Sequence, residues 1–209
     1  MKSIALYVEG GGNTAAEHSQ LRQGFDELLS AQKAAARQHR IHWKTVLCGG
    51  RDKAFQGFEA ALKRRSADDV VLLLVDAEAP VANPSPQGRI DHLKRRDSSW
   101  TFPRIDANHV HLMTQCMEAW LVADPDKLEE FYGQKFNRNP LPRRLLLDEA
   151  TKASLYRALE AATKNTKKGA YGKIRHASEL LKRVRPNLVM ERCASFRELT
   201  KCLDGLMEG

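Results

Sequence analysis

Val70-Val71-Leu72-Leu73-Leu74-Val75-Asp76-Ala77-Glu78 is the stretch that decides the fold. Six apolar residues run without interruption and stop at an acid. The run is too short for a buried helix and is rich in β-branched side chains at its ends. It reads as a strand apolar on both faces, the pattern of a parallel sheet covered by helices on both sides.

The chain before it supplies the matching units. Residues 3–8 read as another buried strand, ending at Glu9, and Gly10-Gly11-Gly12 then breaks the chain. Thr14-Ala15-Ala16-Glu17 is a capping box, in which the hydroxyl and the carboxylate satisfy reciprocal backbone N–H groups. The helix it opens carries Leu21, Phe25, Leu28 and Leu29 on one face. Ile41 to Cys48 is a further strand closed by Gly49-Gly50, and Phe55, Phe58 and Leu62 form the stripe of a second helix. Strand–helix–strand–helix–strand predicts an α/β fold with a parallel sheet and right-handed crossovers. Ligands in such sheets bind beyond the carboxyl ends of the strands, where Glu9 and Asp76 both lie.

Beyond Glu78 the signals are weaker. Residues 79–107, rich in Pro, Ser, Arg and Asp, read as a long mobile excursion. His109 to Met113 reads as a strand, and Gln115 to Ala123 as a buried helix stopped at Asp124-Pro125. The remainder reads as helices over 148–163, 174–184 and 195–207, the last opened by a second capping box, Ser195-Phe196-Arg197-Glu198. The organisation expected is an α/β domain over residues 1–135 with a basic, mostly helical extension over 136–209 packed on it, or one continuous domain.

Composition narrows the class. No window approaches the length of apolar run that a membrane span needs, and the N-terminus is no signal peptide. Cys48, Cys116, Cys193 and Cys202 are widely spaced and form no CxxC pair, as expected of reduced thiols in a cytoplasmic protein. The net charge is +8. Between Thr151 and Arg185 ten Lys or Arg face only Glu160 and Glu179, a local surplus equal to that of the whole chain. Such asymmetry points to a polyanion such as DNA or RNA, a solvated surface being the bland alternative.

Four constellations carry possible chemistry. Glu9 with Asp76 and Glu78 offers hard oxygen ligands for Mg²⁺ or Mn²⁺. Asp76 and Glu78, at i and i+2 of an extended segment, would face one ion from the same side; helix capping or pairing with Arg is the alternative. Gly10 and Gly11 lie where a turn can cradle phosphate, although the P-loop lysine is absent. His111, Gln115 and Glu118 share a face if the segment is helical, and Glu118 inside an apolar run needs a partner, either the acidic cluster or Arg51. The stretch from Thr163 to His176, with Lys167, Lys168, Lys173 and Arg175, offers cations to phosphate, and Tyr171 a ring to a base.

Val8-Glu9-Gly10-Gly11-Gly12, Cys48-Gly49-Gly50-Arg51-Asp52, Leu74-Val75-Asp76-Ala77-Glu78, His111 through Trp120 and Thr166 through His176 together resemble an uncharacterised bacterial family, a domain of unknown function (number 4276) grouped with Toprim-like domains. That resemblance implies a Toprim-like, Rossmannoid sheet, with Glu9 as the Toprim glutamate and Asp76 and Glu78 as its acidic pair; Glu78 departs from the usual Asp. Glu118-Ala119-Trp120-Leu121 is similar to an element of RloB-like relatives. The implied activity is a Mg²⁺-dependent nuclease, kin to overcoming-lysogenization-defect nucleases, in anti-phage defence beside an ATPase partner. Glu118 would be an extra ligand, and Arg51, Lys168, Lys173 and His176 would contact phosphate. A non-catalytic partner or sensor subunit of such an ATPase is the competing expectation. A homo-oligomer is compatible with either.

Overall fold

The computed structural model describes residues 2–102 and 105–208. Four strands, β1 (Ser3–Val8), β2 (His42–Leu47), β3 (Asp69–Asp76) and β4 (Val110–Met113), form one sheet in the order β2-β1-β3-β4. All pairings are parallel. The expected parallel α/β sheet is present, with β1 and β3 as neighbours at its centre.

Alternation along β3 explains its continuous apolar run. Leu72 and Leu74 join Ile4, Leu6 and Val8 of β1 in a core on one face. Val71, Leu73 and Val75 join a second core on the other, with Phe55, Phe58 and Trp100.

The first face is covered by α1 (Ala15–Leu28), α2 (Ser30–Gln38) and much of the later chain: α5 (Glu118–Val122), α6 (Pro125–Tyr132), α7 (Lys152–Thr163), α8 (Lys173–Leu181), α9 (Pro186–Arg192) and α10 (Ala194–Glu208). Leu159, Leu180, Phe196 and Leu199 therefore share one core with the sheet. At its centre Trp120 is fully buried, edge-on to Phe25 at 6.3 Å and to Phe196 at 4.9 Å between ring centroids. The second face is covered by α3 (Arg51–Arg64) and α4 (Pro86–Arg96).

The capping box at Thr14 and Glu17 is formed as expected. Four other expectations change. The stretch 79–107 contains α4, capped by Ser85 with Pro86 in its first turn, and buries Ile90 and Leu93. Its Ser-Pro start is a helix signal that the polar composition concealed. Asp124-Pro125 does not merely end a helix: Asp124 accepts from the Lys127 amide and so opens α6. The second capping box is absent, because Ser195 lies inside α10. Its amide and hydroxyl both donate to Asp148, and Glu198 pairs with Lys201. Finally, His111 belongs to β4, so His111, Gln115 and Glu118 share no helical face. Among the described residues no helix is long and apolar enough to cross a membrane.

A single core across both halves of the chain has a measurable consequence. Trp120→Ala is expected to cost about 3–5 kcal/mol in denaturant unfolding. The wild-type chain should unfold in one transition by tryptophan fluorescence and circular dichroism alike. Two separated transitions would contradict the shared core.

Candidate metal and phosphate site

Three strand ends build the site. The Glu9 amide extends the β1–β3 ladder by donating to Leu74 O at 2.9 Å. Its carboxylate then turns to the neighbouring strand, where Oε2 accepts from the Asp76 amide at 3.1 Å. Asp76 is the last residue of β3 and is 1% exposed. Its Oδ1 accepts from the Met117 amide at 2.9 Å, which ties β3 to the segment entering α5.

Glu78 joins them by a different route from the one expected. Its backbone is not extended but left-handed, with φ of 63°. The amide donates to Gln115 O at 2.8 Å, beyond the end of β4. Such a conformation is costly for a residue with a Cβ and is held here by the β3–β4 edge. One carboxylate oxygen from each of Glu9, Asp76 and Glu78 lies within 4.8 Å of the others.

Cations from the rest of the chain close around this cluster. Lys173, first residue of α8, approaches Asp76 Oδ2 at 3.3 Å. Lys152, first residue of α7, reaches Glu78 at 2.5 Å and Asp76 at 3.9 Å. Arg51 donates to Glu9 at 3.2 Å and to Asp97 at 2.6 Å, and its Nη1 also reaches Asp76 O. Its guanidinium is thus committed to holding the site, not free to meet phosphate, and it leaves Glu118 without an arginine partner.

Glu118 is fully buried behind the cluster. Its Oε1 accepts from the hydroxyls of Tyr156 at 2.6 Å and Tyr171 at 3.0 Å, while Oε2 has no hydrogen-bond partner among the described residues. Tyr171 therefore turns its hydroxyl inward to Glu118, and base stacking is not the role its position gives it.

The electrostatics follow from this crowding. Burial pushes the Asp76 carboxyl up, Lys173 opposes the shift and Glu118 adds to it. Burial also raises Glu9, with Asp76 adding and Arg51 opposing. Burial works against the charge on Lys173, but Asp76 and Glu118 outweigh it and hold the ammonium well above its ordinary range. Four carboxylates thus face two lysines and a guanidinium shared with Asp97.

The glycine turn borders the cluster. Gly10, Gly11 and Gly12 all have positive φ, and a Cβ on Gly12 would meet the Glu17 carboxylate at 2.4 Å. Gly10 and Gly49 exchange both backbone hydrogen bonds, so the Gly10 amide is already engaged. A cleft of about 170 Å³ opens between this turn, Glu9, Gly49 and Lys173.

The remaining expected residues are dispersed. Lys167, Lys168 and Arg175 are exposed, with Lys168 over the Phe131 ring and Arg175 on Ala170 O. His176 is buried among Phe131, Tyr132 and Tyr171. Its Nδ1 accepts from the Gly172 amide at 3.1 Å and meets the Tyr132 hydroxyl at 3.0 Å, and burial pushes its pKa down. A neutral His176 fixes the start of α8, and so places Lys173, without touching the carboxylates among the described residues. Sequence reasoning missed Lys152, Tyr156 and Asp97. Nothing in the local pattern marks them, since each reaches the site from a distant element.

The chain belongs to the family described as a domain of unknown function (DUF4276), whose model matches residues 8–204. No curated protein and no solved structure matches it.

The enclosure of Asp76 predicts a specific non-additivity. Lys173→Met should cost about 2–3 kcal/mol, less than a fully enclosed pair because the ammonium keeps some contact with solvent. Combining it with Asp76→Asn should recover most of that loss in denaturant unfolding. Simple addition of the two single effects would contradict the pairing.

Proposed function

We propose that this member of the DUF4276 family is a divalent-metal-dependent phosphodiesterase acting on DNA or RNA, with a Toprim-like arrangement of its acids. The observation that carries the reading is the convergence of Glu9, Asp76 and Glu78 at the carboxyl ends of β1 and β3, within 4.8 Å of one another and beside the glycine cleft.

The donor set fits the implied ion. Mg²⁺ and Mn²⁺ prefer oxygen ligands, and all three residues present carboxylates. Behind them, the unpartnered Oε2 of buried Glu118 is an acceptor that a bound cation or its water would satisfy. A divalent ion held there would supply Lewis-acid polarisation of a phosphodiester.

The chain's own residues supply the rest. Glu9, Asp76 and Glu78 hold the ion, and Arg51 and the Met117 amide fix Glu9 and Asp76 in place. Lys173 and Lys152 keep positive charge at the rim where a phosphate oxygen would develop charge. The Gly10–Gly12 turn lets a backbone approach without side-chain obstruction. Lys164, Lys167 and Lys168, on the segment that leads to Lys173, and Arg175 in the first turn of α8 are exposed cations and serve as a track for the polyanion.

A second reading has its own observation. Lys152 and Lys173 already pair with Glu78 and Asp76, so these two carboxylates have partners without a metal ion. In that reading the chain is a non-catalytic partner of an ATPase, as the family resemblance implies, and activity appears only in the complex.

Two measurements test the proposal. Cleavage of labelled DNA and RNA should require Mg²⁺ or Mn²⁺, stop with chelator, and fall at least about 100-fold in Asp76→Asn and Glu9→Gln, the loss typical of removing a group that organises the reacting charge. Equal cleavage by all three proteins would sink it. For the basic track, Lys167→Ala with Lys168→Ala should weaken binding regardless of base sequence and reduce the salt slope on duplex DNA by about 2. An unchanged slope would remove that segment from the interface.

A further inference from the structure

A second cavity, of about 270 Å³, lies on the other side of the Glu78 loop. Pro80, Val81, Pro84 and Leu112 give it apolar walls, and the start of α10 at Ala194 forms part of its rim. Its polar lining includes Arg89 of α4 and His111 of β4.

Both are unusual for buried groups. Arg89 is 7% exposed, yet it forms no ion pair among the described residues. Its Nε donates to Val110 O at 2.7 Å and its Nη1 to Pro84 O at 3.1 Å, both backbone carbonyls. Its Nη2 has no protein partner among the described residues. Buried guanidinium groups are almost always paired, because carbonyl dipoles do not cancel the charge. His111 is 2% exposed, and its Nε2, closed off from solvent, has no hydrogen-bond partner among the described residues. Burial pushes this imidazole down to about 3, with Arg89 as the next cause, so it is neutral beside the guanidinium.

Burial pushes the Arg89 guanidinium down, and the acids around the cavity offset this only in part, through Glu198. Asp148 accepts from Ser195, Glu149 lies 3.7 Å from Arg144, and Glu198 pairs with Lys201. Their presence weighs against a dianion. With Nε and Nη1 already bound, Arg89 offers one nitrogen and not the bidentate fork that phosphate esters favour.

We propose that this cavity binds a small organic monocarboxylate, with its carboxylate on Arg89 Nη2 and its apolar body against Pro80, Val81, Pro84 and Leu112. The occupant is a small molecule because a cavity of about 270 Å³ holds a small ligand and not a length of chain. This site is separate from the acidic cluster and does not depend on the phosphodiesterase reading.

Calorimetric titration of the full chain with octanoate, and with octanamide as the matched neutral probe, tests the proposal. Octanoate should bind saturably at one site, with octanamide at least about tenfold weaker, as expected for loss of one charge-assisted hydrogen bond. Ala194→Phe, which fills the rim and leaves both polar groups intact, should weaken octanoate by at least about tenfold. No saturable binding, equal binding of the two probes, or an unchanged affinity in Ala194→Phe would each overturn the proposal. The comparison of the two probes needs only the wild-type protein, so it holds even if a substitution at Arg89 prevents folding.

Discussion

The burial of one carboxylate organises this molecule. Asp76 ends the central strand at 1% exposure, and an ionised group taken out of water needs compensation from every side. The Met117 amide compensates one oxygen, and Lys173, with Lys152 farther off, compensates the other. Each partner arrives from a different element. The requirement therefore fixes the entry to α5 and the starts of α7 and α8 against the end of β3.

The same constraint shapes the chemistry. Parallel strands deliver their ends to one edge of the sheet, so Glu9 and Asp76 are neighbours by topology alone. Glu78 is added by a left-handed residue held through Gln115. The site is negative at its centre and ringed by cations whose ammonium groups belong to the later helices. In the proposed function such a layout would hold a hard cation and meet a phosphate from the same direction. In the structure Lys152 and Lys173 pair with the carboxylates of Glu78 and Asp76.

The framework was legible where the physics is local. The apolar run Val70–Val75 and the Thr14 capping box declare a buried strand and a helix start, and both are present. The meeting of Glu9 with Asp76 was legible too, because it follows from strand adjacency. What escaped depends on tertiary partners. The extended geometry expected of Glu78 gives way to a hydrogen bond with a loop far along the chain. Arg51 was an expected phosphate contact, yet the guanidinium is claimed by Asp97, which no spacing rule connects to it. His176 and Tyr171 carry side chains typical of a catalytic or stacking role, and the packing turns them inward to Tyr132 and Glu118. At Ser195 the capping-box pattern was correct in composition, but Asp148 took the role from outside the helix.

The central claim is that Glu9, Asp76 and Glu78 form one divalent-cation centre. Anomalous diffraction from a crystal soaked in Mn²⁺ tests it most directly. An anomalous peak is expected about 2.1–2.3 Å from carboxylate oxygens of all three residues, with Lys152 displaced from Glu78. A crystal in which Mn²⁺ binds elsewhere, or in which Lys152 and Lys173 keep their pairings at saturating Mn²⁺ with no peak between the acids, would contradict it.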